Sequence, residues 1–213
     1  EYMESIWWVF RQLWDKGLIY EGHKILPYCP RCATPLSNFE ANQGYEDVQD
    51  PSITVRFELL DAPGTYFLAW TTTPWTLPSN LALAVGSEVE YVRVRDGDGE
   101  YILAAERLSA YYRKEKPEIV ARLRGRELKG QAYRPLFPYF ERLAGEGAFR
   151  VVTADFVTTE DGTGIVHIAP GFGEDDAAVG RANNLPVVCP VDPECRFDEE
   201  VPDYTGRFVK DAD

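Results

Sequence analysis

Apolar residues recur at Ile6, Val9, Phe10, Leu13 and Trp14, the spacing of a helix with one apolar stripe, and Gly17 supplies a stop. So broad an aromatic stripe either packs on the domain's own core or meets a partner beyond this chain. From about Ile53 the pattern changes to short β-rich runs separated by turn residues, at 53–60, 65–70, 81–85, 89–95, 101–104, 149–153, 164–169 and 186–191. Asp61-Ala62-Pro63-Gly64 and Asp96-Gly97-Asp98-Gly99 are natural hairpin connections, because Gly and Asp tolerate the positive φ of tight turns. Short helices are expected at 105–114, 140–145 and 175–183, the last opened by acidic residues that suit a helix N-terminus. The pattern predicts a mainly β, α+β domain of barrel-like form with an N-terminal helix. No internal repeat or low-complexity stretch interrupts it. The chain starts inside a helix without a cap and ends at Lys210-Asp211-Ala212-Asp213 without a closing element, which predicts a piece of a longer protein.

Composition narrows the setting. With 213 residues, 45% hydrophobic and 13% aromatic, the chain has apolar material for one core of ordinary size. No run approaches the roughly 18 apolar residues that span a bilayer, and Glu1-Tyr2-Met3-Glu4 lacks the basic start of a signal peptide, so a cytoplasmic, monomeric chain is expected. A net charge of −13 argues against a surface built throughout for phosphate backbones. Basic residues do gather between Ala105 and Arg134, nine against four acidic ones. They form either a solvated charged face or a patch that receives the end of a nucleic acid.

Two segments stand out chemically. Trp70-Thr71-Thr72-Thr73-Pro74-Trp75-Thr76-Leu77-Pro78-Ser79-Asn80 concentrates hydroxyls and an amide between two predicted strands, and two prolines stiffen it. It is either a Thr-rich strand and turn or a preorganised polar site. Asp161-Gly162-Thr163-Gly164-Ile165-Val166-His167-Ile168-Ala169-Pro170-Gly171-Phe172-Gly173-Glu174-Asp175-Asp176 runs from a glycine turn through a strand to a glycine loop and a helix start. His167 and Asp176 are near enough in chain to share a pocket there, though a strand histidine and a helix-start carboxylate also serve structure alone. There is no Gly-x-Ser-x-Gly elbow, no P-loop and no His-Glu-x-x-His. A site of hydroxyls with one carboxylate suits binding of an ammonium group and positioning of water on an already reactive ester. Cys29-Pro30-Arg31-Cys32 is half of a four-cysteine zinc site; Cys189 and Cys195 have a looser spacing, so the second half is expected outside this chain.

The first of these segments resembles the threonine-rich motif of the editing (connective peptide 1) domain in class I isoleucyl-, valyl- and leucyl-tRNA synthetases, and Gly162 through Asp176 resembles its second motif. Tyr28-Cys29-Pro30-Arg31-Cys32 with Thr34-Pro35-Leu36-Ser37-Asn38-Phe39-Glu40 is similar to the zinc-knuckle entry of the isoleucyl branch, and Val166-His167 followed by Ala169-Pro170 is similar to the isoleucyl version of the second motif, where the valyl branch is expected to carry Lys in place of this His. The likeness spans nearly the whole chain. One departure is Phe172, where many bacterial relatives carry His. The ATP-binding signatures His-Ile-Gly-His and Lys-Met-Ser-Lys-Ser are absent, so the resemblance implies no synthetic site here.

The resemblance implies segment 1–45 from the parent catalytic region, an editing core at 46–190 and a return segment at 191–213. It also implies hydrolysis of valyl-tRNA(Ile) and valyl-adenylate within the larger synthetase, with the 3′ end of the tRNA as partner. The isoleucyl enzyme is itself the standard illustration of the need: one missing methylene is worth only about 1–3 kcal/mol, too little to reject valine by binding alone. On this reading Asp176 anchors the substrate ammonium and His167 is the wall that limits side-chain size. Thr71, Thr72, Thr73 and Thr76 orient the ester and its water, with Trp70 and Asn80 as further binding residues. Editing itself needs no cofactor, and zinc is expected at Cys29 and Cys32. The rival readings are a valyl-type site that removes threonine and a zinc-knuckle module that only binds RNA.

Overall fold

The computed structural model describes residues 1–22, 24–97, 99–114 and 116–213. Helix α1 (Tyr2–Asp15) ends where Gly17, at φ +66°, donates its N–H to the Trp14 carbonyl oxygen at 2.8 Å. None of its residues is buried. Strands β1 (Tyr28–Cys29) and β2 (Thr34–Pro35) pair antiparallel around the Pro30–Ala33 turn. The short helix α2 (Asn38–Ala41) is opened by a capping box, in which the Ser37 hydroxyl accepts from the Glu40 N–H and the Glu40 carboxylate accepts from the Ser37 N–H.

The body begins at β3 (Ile53–Glu58) and continues through β4 (Thr65–Thr71), β5 (Ala82–Val85), β6 (Glu90–Asp96) and β7 (Gly99–Ala104). Then follow α3 (Leu108–Tyr111), β8 (Glu118–Arg124), α4 (Gly125–Leu128), β9 (Arg150–Thr153), β10 (Ile165–Ile168) and α5 (Glu174–Ala182). Five strands form a mixed sheet in the order β3-β4-β7-β6-β8, and three form a second in the order β10-β5-β9. Among the described residues, β4/β7 and β5/β9 are the parallel pairs. β10 packs beside β4, which brings the ends of the two sheets together.

The main core lies between the sheets, around Phe57, Phe67, Leu83, Ile102, Tyr133, Phe149 and Ile165. Strand β5 is buried on both faces: Leu83 and Val85 enter this core, while Ala82 and Ala84 meet Ile168, Val179 and Leu185 under α5. Such a two-sided strand reads as an unbroken apolar run. Phe197, Val201 and Val209 bring the C-terminal segment into the main core.

The structure corrects several expectations. The sheets do not close into a barrel, because the eight body strands divide between two separate ladders with open edges. The run at 186–191 is not a strand; Pro186 and Pro190 remove two ladder donors, and only Val191 makes an isolated bridge, to Phe197. The helix expected at 105–114 is a 3₁₀ turn at Ala105–Arg107 followed by the single turn of α3. Strand β8 is hidden in the basic run because a register shift opposite Arg93/Val94 sets Val120 out of line, which breaks the alternation that reveals strands. The β6–β7 hairpin forms as expected, with Asp98 of its turn outside the described residues, as is Glu115 of the charged run. Among the described residues, no helix is long and apolar enough to cross a membrane.

Candidate functional site

The threonine-rich segment is shaped by its own side chains. β4 ends at Thr71, whose hydroxyl accepts the Thr73 N–H at 3.1 Å. Pro74 then opens a 3₁₀ turn at Pro74–Ser79, where its missing N–H costs nothing. The turn is fastened by the Thr76 N–H and hydroxyl, which both donate to the Thr73 carbonyl oxygen at 3.1 and 2.9 Å. The hydroxyls of Thr71 and Thr73 lie 3.3 Å apart, and those of Thr73 and Thr76 3.5 Å apart. Thr71 and Thr76 are buried, whereas Thr72 is exposed.

The second segment is delivered by β10, in which His167 pairs with Leu83. The His167 Nε2 lies 2.9 Å from the Thr76 hydroxyl, so the two segments join through side chains that lie far apart in the sequence. Beyond β10 the chain turns at Gly171, where a Cβ would sit 2.2 Å from the Val188 carbonyl oxygen; only glycine fits. Asp176, in the first turn of α5, accepts the Ala169 N–H at 2.9 Å. Phe172 meets Trp75 edge-on at a centroid distance of 5.0 Å, which braces the glycine loop against the 3₁₀ turn.

Together these groups surround a cavity of about 340 Å³. Its walls include Trp70, the threonines at 71, 72, 73 and 76, His167 and Asp176. Asn80 is not among them. Its carboxamide oxygen accepts from the Tyr133 hydroxyl at 2.6 Å and its amide donates to the Ala82 carbonyl oxygen at 2.9 Å, so this side chain pins the turn to the core instead of facing a ligand.

Burial sets the electrostatics. It holds the His167 imidazole down to about 4, so the ring is neutral at ordinary pH. It pushes the Asp176 carboxyl up to about 6, against the downward pull of the Ala169 N–H. A carboxylate so poorly solvated gains more than an exposed one from an arriving cation.

One supporting residue lies hidden in the sequence. Arg107 belongs to the basic run, yet its guanidinium turns inward and donates to the carbonyl oxygens of Gly162 and Glu160 at 2.8 and 2.6 Å. This clamps the turn before β10, where Gly162, at φ +62°, lies so close under Trp70 that a Cβ would reach 2.8 Å from its ring. Nothing in a run of arginines marks which one turns inward. Others in the run pair with carboxylates: Arg122 with Glu90, Arg126 with Glu88 and Arg134 with Glu58. The solvated, ion-paired face therefore accounts for much of the run.

Cys29 and Cys32 lie at the β1–β2 hairpin, and all four cysteines are free thiols. Hydrogen bonds from the Cys32 backbone and thiol draw the Cys29 thiol below its ordinary value, while the bond to Cys29 and its charge push the Cys32 thiol up. A thiolate stabilised in this way fits half of a tetrahedral zinc set. Among the described residues no group of three His, Cys, Asp or Glu side chains gathers to hold a metal.

Residues 1–170 match the family model for tRNA synthetases class I (I, L, M and V). The chain is 54% identical to the isoleucine–tRNA ligase of Treponema denticola over all of its own length and 22% of that protein. To the isoleucine–tRNA ligase of Bdellovibrio bacteriovorus it is 54% identical, again over its whole length and 20% of the relative. The chain thus spans about a fifth of the length of the curated relatives it matches. Its fold resembles the crystal structure of GlLeuRS-CP1, with a TM-score of 0.51 and 19% identity over 62% of this chain and 59% of that one. With the family model covering most of its length, this chain belongs to the class I tRNA synthetases of the isoleucine, leucine, methionine and valine group.

Proposed function

We propose that this chain is the editing unit of an isoleucine–tRNA ligase, which hydrolyses valine from valyl-tRNA(Ile) and from valyl-adenylate. The observation that carries the reading is the cavity itself, where a row of threonine hydroxyls faces a neutral imidazole and one desolvated carboxylate. Asp176 takes the α-ammonium of the substrate, and the arriving cation draws its carboxyl back to the ionised form. His167 limits the room for the side chain, so that valine enters and isoleucine does not. Thr71, Thr72 and Thr73 hold the ester and the attacking water. The cavity wall offers no strong base, so water acts as nucleophile by positioning, assisted by a ribose hydroxyl of the terminal adenosine. The rest of the synthetase holds the body of the tRNA, and zinc at Cys29 and Cys32, with ligands this chain does not supply, secures the entry segment.

The test is release of valine from valyl-tRNA(Ile), beside isoleucyl-tRNA(Ile) and threonyl-tRNA(Val), by the chain and by Asp176→Asn. The amide retains an acceptor for the Ala169 N–H but loses the charge, and valine release should fall roughly 100-fold. Preference for the threonyl ester would move the assignment to a valyl-type site. Equal rates for wild type and Asp176→Asn would reject the anchor. A chain that binds tRNA but hydrolyses none of the three esters would favour a binding module.

A further inference from the structure

The opening of the 3₁₀ turn at Pro74–Ser79 is not held from within. Thr73 stands at its N-cap but makes no side-chain cap bond, its hydroxyl lying instead toward those of Thr71 and Thr76. Pro74 has no N–H, so the Trp75 N–H is the first that needs an acceptor. That acceptor comes from 138 residues away: the Asp213 Oδ1 takes the Trp75 N–H at 3.0 Å. The Asp213 side chain is 5% exposed, and Lys210 Nζ donates to its Oδ2 at 3.1 Å while lying 3.2 Å from the Asp50 carboxylate. Both residues follow Val209, which is buried in the main core and whose N–H donates to the Cys195 carbonyl oxygen at 3.0 Å. The carboxylate is thus delivered by a seated segment, and its two oxygens are both engaged.

The far end of the turn is pinned by Asn80 to Tyr133 and Ala82, and Asp213 pins the near end. Between the two pins lie Trp75 and Thr76, both in the wall of the cavity, whereas Asp213 is not. We propose that Asp213 is a positioning residue for the candidate site: by capping the Trp75 N–H it holds the opening of the turn, and with it the Trp75 ring and the Thr76 hydroxyl, in place on the cavity wall. A carboxylate suits the task, because a charge-assisted bond to a backbone N–H is stronger than a neutral one. The holding of the turn stands without any substrate; its bearing on hydrolysis rests on the editing reading. Small displacements of orienting groups are costly in rate, so a slackened turn acts on the chemical step more than on binding.

The experiment pairs kinetics with ¹⁵N–¹H correlation of chain labelled at tryptophan. There are five tryptophans, and Trp75→Phe assigns the backbone and indole signals of Trp75. Asp213→Ala should move both signals and speed exchange of the Trp75 backbone N–H roughly tenfold. Its kcat for valine release should fall roughly tenfold, with KM within about twofold of wild type, because the ammonium anchor at Asp176 is left intact. Asp213→Asn, whose amide oxygen still accepts from Trp75, should keep both signals near their wild-type positions and return kcat to within about threefold.

A Trp75 backbone signal unmoved in Asp213→Ala would overturn the cap. A moved backbone signal with the indole signal and kcat unchanged would reduce Asp213 to a local stitch, and a raised KM at unchanged kcat would place it at the ligand; either result overturns the positioning role. Asp213→Asn as slow as Asp213→Ala would do so as well. Should the alanine variant fail to fold, Lys210→Met, which unseats the carboxylate, should move the same two signals, and their standing still would overturn the proposal. A wild-type chain that releases no valine would count against the editing reading, while the Trp75 signals would still decide whether Asp213 holds the turn.

Discussion

Trp7, Trp8 and Trp14 of α1 are 65%, 63% and 55% exposed, whereas Trp70 and Trp75 are half-buried around the cavity. The two regions are alike in aromatic content and differ in what holds them. α1 closes its hydrogen bonds within itself, and among the described residues its apolar stripe is buried against nothing. The segment around Trp70 closes its turn locally but is held in place from afar: β4 needs β3 and β7 beside it, and its 3₁₀ turn is fastened by His167 and Tyr133 from elsewhere in the chain. A helix is a local solution to backbone bonding, while a site is a non-local one.

Substitutions can break or sharpen that contrast. Phe57→Ala, on β3 beside β4, should cost about 3–5 kcal/mol in denaturant unfolding, because the ring is fully buried and packs edge-on to Tyr133. Asn80→Ala should cost about 1–3 kcal/mol by leaving the Tyr133 hydroxyl and the Ala82 carbonyl without their partner. A loss of valine release with no loss of stability would instead put Asn80 at the ligand. Between these and the helix stands the carboxylate. Apparent affinity for an ammonium-bearing analogue should fall about tenfold per pH unit below about 6, as Asp176 takes up its proton, and Asp176→Asn should flatten that profile.

The same shift carries a stability sign. The folded carboxyl lies above its unfolded value of 3.8, so the fold holds the proton more tightly. Stability contributed by the protonated group is complete below 3.8 and is lost as pH rises through about 6. Unfolding followed across that window in wild type and Asp176→Asn checks it. Smallest of all, Trp7→Ser should change the stability of this chain by about 0.5 kcal/mol or less, since its ring is exposed. A larger loss would mean that α1 is seated on the body.

Much of the fold is legible in the sequence, and for stated reasons. The strands at 53–58, 65–71 and 90–96 follow runs of β-branched and aromatic residues bounded by turns, and α1 follows a strict helical period. β8 escapes because a bulge breaks alternation, and the run at 186–191 misleads because apolar character alone does not report the missing donors of two prolines. At the candidate site, the residue types and their two segments can be read, but only sequence adjacency points Asn80 toward a ligand. Its neighbour in space, Tyr133, is 53 residues away, and no local pattern announces that bond.

What the sequence by itself determined is the chemistry available and the local order: hydroxyls stiffened by Pro74 and Pro78, a histidine on a strand, and a carboxylate at a helix start. Periodicity and turn residues act over a few positions, so they can be read in one dimension. Only the tertiary structure decided that Thr76 meets His167 across 91 residues, that Asp176 is desolvated and that Arg107 turns inward. Burial and long-range hydrogen bonding belong to the packed chain as a whole, and they set the protonation of His167 and Asp176 at the cavity.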